Sequence, residues 1–95
     1  STTTTESQNV TATVNSGTVT LVISNFWYGW IPCGDVTVTA TCIDGEIGNP
    51  VTVSIAGIPV SNASISGSIS DGSCTIHLTL TSGSDSVVID YQGQN

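Results

Sequence analysis

The chain has 95 residues, no lysine or arginine, seven carboxylates and one histidine, and its net charge at pH 7 is −7. The lack of basic side chains argues against nucleic-acid partners, whose phosphates such side chains neutralise. No apolar stretch approaches the roughly 20 residues of a membrane-spanning helix, so we expect no membrane span, and the length suits one domain.

The first nine residues contain four consecutive threonines, Thr2–Thr5, and no apolar side chain. A segment without apolar residues has nothing to bury in a core. We therefore predict that residues 1–9 form an N-terminal extension or a donor segment, and that residues 10–95 form a single β-sandwich domain.

From Val10 onward, apolar residues alternate with polar ones, mostly threonines, at a period of two. This period indicates half-buried strands, and no apolar stripe at helical spacing is long enough for a helix. Turn signals separate the strands, including Asn15-Ser16-Gly17 and Asp71-Gly72, and residues 44–50 are predicted to form a loop. The seven predicted strands cover residues 10–14, 18–24, 36–42, 51–55, 63–69, 74–80 and 87–91.

Seven short strands with turns every 8–12 residues are typical of an antiparallel, immunoglobulin-like β-sandwich. We therefore predict an all-β fold of this class, with apolar side chains inward and threonines outward.

Four of the five aromatic residues stand together, namely Phe26, Trp27, Tyr28 and Trp30. Because Gly29, Pro32 and Gly34 interrupt strand regularity, we place this segment on a loop between the second and third strands. Three interpretations stay open: two of the aromatic side chains close the end of the sandwich, or the aromatic residues contact another copy of the protein, or they stack on carbohydrate.

Three cysteines allow one intrachain bridge. If the strands alternate in direction, Cys42 and Cys74 lie on inward faces at the same end of third and sixth strands that neighbour each other, so we predict a disulfide between them. Cys33 lies about 30 Å from Cys42 along an extended strand, where it is buried or free for an intermolecular bond. A Cys33–Cys74 bridge and the absence of any bridge are the alternatives.

Two asparagines, Asn9 and Asn62, begin Asn-X-Ser/Thr sequences, and we predict glycosylation there, although chance also produces such sequences. Asp44, Glu46 and Asp71 fall in two loops at one predicted end and form a candidate Ca²⁺ site. Isolated surface carboxylates are the alternative interpretation, and we expect no other cofactor.

The single histidine, His77, alternates outward with Thr75 and Thr79 in a predicted strand. A catalytic histidine requires a positioned nucleophile and an orienting acid, and no Gly-X-Ser-X-Gly sequence is present. We interpret His77 as a solvated strand residue and expect no catalytic residue and no enzymatic activity.

The strand spacing of residues 10–91 resembles that of immunoglobulin-like sandwiches in secreted adhesins, surface layers and extracellular filament subunits of prokaryotes, archaea among them. Fourteen serines and fifteen threonines with few charges are also similar to the composition of secreted surface proteins. We therefore expect an extracellular or cell-surface location.

Strand edges in monomeric proteins are commonly protected by lysine or proline, and this chain has no lysine. We therefore expect a structural subunit that binds copies of itself in a filament, pilus-like fibre or surface array. Val10, Ala12 and Val14 form the candidate donor strand, unless the Asn15-Ser16-Gly17 turn keeps them in their own domain. The alternative is a secreted carbohydrate-binding module that uses the aromatic residues.

Overall fold

The structure is a computed structural model that describes the backbone of residues 2–6 and 9–94 and the side chains of residues 9–94. Within these residues the chain forms nine strands. They are β1 (Thr2–Glu6), β2 (Val10–Asn15), β3 (Thr18–Tyr28), β4 (Ile31–Ile43), β5 (Glu46–Ile55), β6 (Ile58–Val60), β7 (Ala63–Ser70), β8 (Ser73–Ser82) and β9 (Asp85–Gly93). Each of the seven predicted strands lies within one of these, whereas β1 and β6 are additional.

All nine strands belong to one hydrogen-bonded sheet with the order β1-β9-β8-β7-β5-β4-β3-β2, and β6 pairs with β5 beside this path. Every pair is antiparallel except the parallel pair of β1 and β9. The sheet is open and curled. The predicted all-β antiparallel class is confirmed, but the predicted immunoglobulin-like arrangement of two sheets is not.

Strand β5 divides its pairing on one edge between two strands. At one end of β5, Glu46 and Ile47 pair with Ser68 and Gly67 of β7. At the other end, residues 53–55 pair with the short strand β6. Strand β7 thus accompanies β5 for two register positions only, and residues of β7–β9 share one hydrophobic core with those of β2–β5.

The two ends of the sheet are consecutive in the sequence. Strand β1 pairs with β9 at one end, and β2 pairs with β3 at the other. Only residues 7–9 separate Glu6 from Val10, and four Cα–Cα steps span at most about 15 Å. The two sheet ends therefore lie close together. Residues 1, 7 and 8 of the predicted extension lie outside the described residues.

The concave face of the sheet forms a single hydrophobic core. Buried side chains alternate along β3, β4 and β8, among them Leu21, Ile23, Val38 and Leu78, and β9 adds the fully buried Ile89. On the convex face, Thr13, Thr20, Thr39 and Thr52 occupy one cross-strand row over β2–β5. The predicted alternation of inward apolar and outward hydroxyl side chains is thus confirmed.

The predicted loop over residues 44–50 is wrong. The turn consists of Asp44 and Gly45 alone, with φ angles of 52° and 80°, and positive φ at both central positions is what a tight type I′ hairpin requires. Strand β5 then begins at Glu46. Pro50 is accommodated because the β4–β5 register shifts between Ala40 and Thr41, and proline is tolerated at such irregularities.

Side chains stabilise this irregular stretch. The hydroxyl of Thr41 donates to the carbonyl oxygen of Gly48 at 2.8 Å. The side-chain oxygen of Asn49 accepts a hydrogen bond from the backbone N–H of Ile65 in β7 at 3.0 Å. These contacts connect β4 to β5 and β5 to β7. In the part of the chain that the structure describes, no helix is long and apolar enough to cross a membrane.

Candidate contact site at the aromatic hairpin

The aromatic segment is the end of a hairpin rather than the predicted loop. Strand β3 continues to Tyr28 and β4 begins at Ile31, and these two residues pair directly across the strands. The turn between them contains Gly29, whose φ of 61° suits a residue without a side chain. We call residues 26–33 the aromatic hairpin. Aromatic and β-branched cross-strand pairs stabilise such hairpins, which offsets the effect of the glycines and the proline.

The base of the aromatic hairpin is fixed by a second irregularity. The β3–β4 register shifts between Ile23 and Phe26. There Asn25 adopts a positive φ of 54°, and its backbone N–H donates to Oδ1 of Asp35 at 3.2 Å. The shift brings Phe26 into the core, where it is 4% exposed.

The remaining aromatic residues face solvent. Trp27 is 50% exposed, Tyr28 40% and Trp30 94%, and the adjacent Ile31 is 60% exposed. The aromatic residues of the hairpin are therefore divided: Phe26 alone closes the end of the core, where one interpretation expected two rings, whereas the tip presents two indoles and a phenol. Exposed aromatic side chains of this kind are enriched at contact surfaces.

An open groove of about 400 Å³ lies beside the aromatic hairpin. We call it the apical groove. Its apolar wall includes Phe26, Tyr28, Ile31, Ile55, Leu80 and Val87. Thr81, Ser82 and Asp85, at the β8–β9 turn, supply its polar rim. The groove thus joins the ends of β3, β4, β5, β8 and β9.

Sequence reasoning identified the aromatic side of this groove and missed the opposite wall. Ile55, Leu80 and Val87 are ordinary members of the strand alternation. Only their position at strand ends distinguishes them, and the curl of the sheet decides that these ends meet. No pattern of residues in the sequence predicts that these strand ends come together.

The predicted Cys42–Cys74 disulfide is absent, because all three cysteines are free thiols. Cys42 in β4 and Cys74 in β8 do lie at the same end of the sheet. There the backbone N–H of Ile69, near the end of β7, donates to the carbonyl oxygen of Gly45 in the β4–β5 turn at 2.8 Å. Their strands are not neighbours, however, since β5 and β7 lie between them.

Burial raises the pKa of the Cys74 thiol, and the neighbouring Cys42 raises this pKa further. The thiolate is the form that attacks in disulfide formation, so a raised pKa keeps Cys74 in the less reactive form. The half-buried Cys33 lies at the other end of β4, in the wall of the apical groove, and its thiol donates to the carbonyl of Ile31 at 3.4 Å.

The candidate Ca²⁺ ligands are not assembled into a site. Asp44 and Asp71 lie in two different turns and Glu46 begins β5. Among the residues whose side chains the structure describes, no group of three or more His, Cys, Asp or Glu residues is placed to hold a metal ion. All three carboxylates are exposed.

His77 lies on the convex face in a row with Ser66 of β7 and Asp90 of β9. The imidazole Nδ1 is 2.5 Å from Oδ1 of Asp90, so His77 has a partner that the sequence interpretation did not assign. Within the described part of the chain, no hydrogen bond joins the Ser66 hydroxyl to His77. The row therefore lacks the nucleophile–base contact that activation of a serine requires.

The two predicted glycosylation positions are both exposed. Asn62 lies between β6 and β7 with a φ of 61°, and its backbone carbonyl accepts from Thr81 at 3.0 Å. Asn9 precedes β2, and its carbonyl accepts from Ser24 at 3.0 Å. Both glycan attachments stay predictions.

The candidate donor residues Val10, Ala12 and Val14 lie in β2, which pairs with β3 of the same chain. Val10 is buried, whereas Val14 is 53% exposed. The Ser16–Gly17 turn joins β2 and β3, with Gly17 at a φ of 81°. Within this chain, β2 and β3 therefore form an ordinary hairpin, which was the stated alternative to strand donation by Val10, Ala12 and Val14.

Comparison with protein-family models, with curated proteins and with solved structures finds no match for this chain.

Proposed function

We propose that this protein is a non-enzymatic structural subunit of an extracellular filament, pilus-like fibre or surface array. The observation that carries the proposal is the exposed aromatic hairpin beside the apical groove. Trp30 is 94% exposed and stands next to an apolar groove of about 400 Å³. Burying such side chains against a second copy removes a large apolar area from water, which favours association.

The charge pattern supports the same proposal. The chain has no lysine or arginine, so no long cationic side chain on its strand edges or sheet faces blocks the approach of a neighbouring molecule. The row of Thr13, Thr20, Thr39 and Thr52 leaves the convex face of β2–β5 uncharged along that line. An uncharged hydroxyl surface packs against another polypeptide without the desolvation of ions. The overall charge of −7 keeps dispersed subunits apart over longer distances at low salt.

The extracellular location and the relation to immunoglobulin-like surface proteins of prokaryotes belong to this proposal. Support comes from the high serine and threonine content and from the exposed positions of Asn9 and Asn62. A glycan on either asparagine would lie on the outer surface, where it adds solubility without entering the core.

Sedimentation velocity and negative-stain microscopy of the purified protein test the proposal. We expect large assemblies at micromolar concentration. In Trp30→Ala we expect the protein concentration needed for assembly to rise at least tenfold. Ile43→Ala is the matched control, because Ile43 is 65% exposed at the opposite end of β4. A protein that stays monomeric at millimolar concentration after removal of any glycans would refute the proposal.

The alternative is a secreted carbohydrate-binding module. It is favoured by the polar rim of the apical groove, because Thr81, Ser82 and Asp85 stand near the rings on which a sugar would stack. Titration with soluble polysaccharides, followed by tryptophan fluorescence, discriminates the two functions. A saturable change in a monomeric protein, lost in Trp30→Ala and retained in Ile43→Ala, would establish the alternative in place of the structural role.

A further inference from the structure

The first strand of the sheet is bound on one side only. Strand β1 pairs with β9 over five register positions, from Thr2–Ser86 to Glu6–Asp90. It is the last strand at its end of the sheet. The next segment of the chain, β2, belongs to the other end. The three residues 7–9 therefore connect strands that stand at opposite ends of the sheet order.

Backbone pairing with β9 is the described contact of β1. Its sequence, Thr-Thr-Thr-Thr-Glu, contains no apolar residue, so the hydrophobic core does not depend on it. Its pairing is parallel, which is slightly less stable per residue than antiparallel pairing. Separation of β1 from β9 consequently affects five register positions and leaves β2–β9 with their own core.

The strand that β1 covers is a suitable acceptor for the same segment from another molecule. Strand β9 contains Val87, Val88 and Ile89 in succession, and Ile89 is fully buried. Between Asp85 and Asp90 the edge carries no charged residue and no proline, the features that commonly keep foreign strands away. An identical β1 from a second copy would find the same register on this edge.

We propose that β1 is exchanged between copies, so that Thr2–Glu6 of one molecule lies on β9 of the next. The inference deepens the proposed function, on which it rests. Because donor and acceptor are different surfaces of the same chain, each copy gives one strand and accepts one. Such a head-to-tail contact does not close on itself unless the rotation completes a ring, and it produces a fibre. The aromatic hairpin then supplies a second contact between the copies beside the exchanged strand, so Trp30→Ala still weakens assembly.

The reach of the connection limits how neighbouring copies are arranged. Residues 7–9 allow about 15 Å between the Cα atoms of Glu6 and Val10. In an exchanged fibre, the start of β2 in the donor therefore lies within that distance of the position of Glu6 beside Asp90 of the acceptor. Exchange thus predicts adjoining subunits in contact rather than beads on a long tether.

Cysteine cross-linking between two full-length variants tests the exchange. Thr4→Cys and Val88→Cys, which occupy one register position, are introduced into separate chains that both carry Cys33→Ser. One chain is isotopically labelled, and the two are mixed before assembly and oxidised. We expect a covalent dimer of one labelled and one unlabelled chain, joined through residues 4 and 88. The matched control is Thr5→Cys mixed with Val88→Cys, which is one position out of register and is expected to cross-link at least fivefold less.

A single chain with both Thr4→Cys and Val88→Cys supplies a second measurement. Oxidised while dispersed, it holds β1 on its own β9, and we expect no fibres until a reductant is added. Fibres formed by this oxidised chain, or a mixture without the 4–88 cross-link, would overturn the exchange and leave the proposed function intact. If the unmodified protein forms no assembly, the proposed function itself fails, and the exchange fails with it.

Discussion

Nδ1 of His77 in β8 lies 2.5 Å from Oδ1 of Asp90 in β9. Among the side chains that the structure describes, this is the one pair that can form an ion pair, and it does so only when the imidazole is protonated. The pair spans neighbouring strands on the convex face, with side-chain exposures of 54% and 47%. The fold therefore rests on apolar burial and ladder hydrogen bonds, with electrostatics in a minor role.

The single and double alanine variants of His77 and Asp90 measure this role. Because both side chains are about half exposed, we expect a coupling free energy below about 1 kcal/mol in a double-mutant cycle from urea unfolding. The parent protein and the three variants are compared at one pH. A coupling above about 2 kcal/mol would contradict the assignment of this pair as a minor contributor.

Leu78→Ala is expected to lower the free energy of unfolding by about 2–5 kcal/mol, because Leu78 is fully buried and its removal leaves a cavity. Val14→Ala is the control, since Val14 is 53% exposed, and we expect it to change stability by no more than about 0.5 kcal/mol. Chemical denaturation of the two variants makes the comparison. Equal effects would mean that the curl does not enclose a core at β8.

Gly67 in β7 marks a close approach between strands. A Cβ atom there would overlap the carbonyl oxygen of Thr75 in β8, and this backbone atom has no room to move without disturbing the ladder. We expect Gly67→Ala to destabilise the protein by about 1–3 kcal/mol.

Gly48→Ala is the matched control for Gly67, because a Cβ at Gly48 meets only the Thr41 hydroxyl, at an ordinary contact distance of 3.6 Å. We expect thermal unfolding of Gly48→Ala to resemble that of the parent protein. A stable Gly67→Ala variant would place β7 further from β8 than the structure has it.

Stability is expected to fall at alkaline pH, in part through Cys74. Burial raises the pKa of its thiol in the folded protein. Above about pH 8.5, where ordinary thiols ionise, the unfolded chain therefore loses a proton that the folded chain retains. Folded molecules then bind more protons than unfolded ones, so the free energy of unfolding decreases as pH rises through this range.

Cys74→Ala removes this contribution. We expect a smaller loss of stability between about pH 8 and 10 in this variant than in the parent chain, whatever its stability at neutral pH. Cys33→Ala is the control, because it also removes one thiol, but from the half-buried wall of the apical groove and not from the core. Identical pH slopes for all three proteins, measured by thermal unfolding, would show that ionisation of Cys74 is not coupled to folding.

Period-two alternation was sufficient to predict seven strands, because each of them buries one face and exposes the other. It could not predict β1, which has no apolar residue to produce such a pattern. It also misplaced the start of β5, because Asn49 and Pro50 read as turn formers until Thr41 and Ile65 supply their hydrogen-bonding context.

The candidate site was predictable in part. The aromatic cluster is evident because its residues are close together in the sequence. Its partial exposure was predictable because one end of a thin core cannot hold four aromatic rings. The hairpin conformation depends instead on pairing between Tyr28 and Ile31. The apolar wall opposite, with Leu80 and Val87, depends on contacts between segments more than fifty residues apart.

The sequence by itself determined the strand class, the direction in which each strand faces, and the near absence of ion pairs, because these follow from local periodicity and from composition. Only the tertiary structure decided that the strands form one curled sheet, that Cys42 and Cys74 belong to strands separated by two others, and that β1 meets β9. The physical reason is that hydrogen bonding between strands is nearly independent of side-chain identity, so the choice of partner is made by the packing of the whole core.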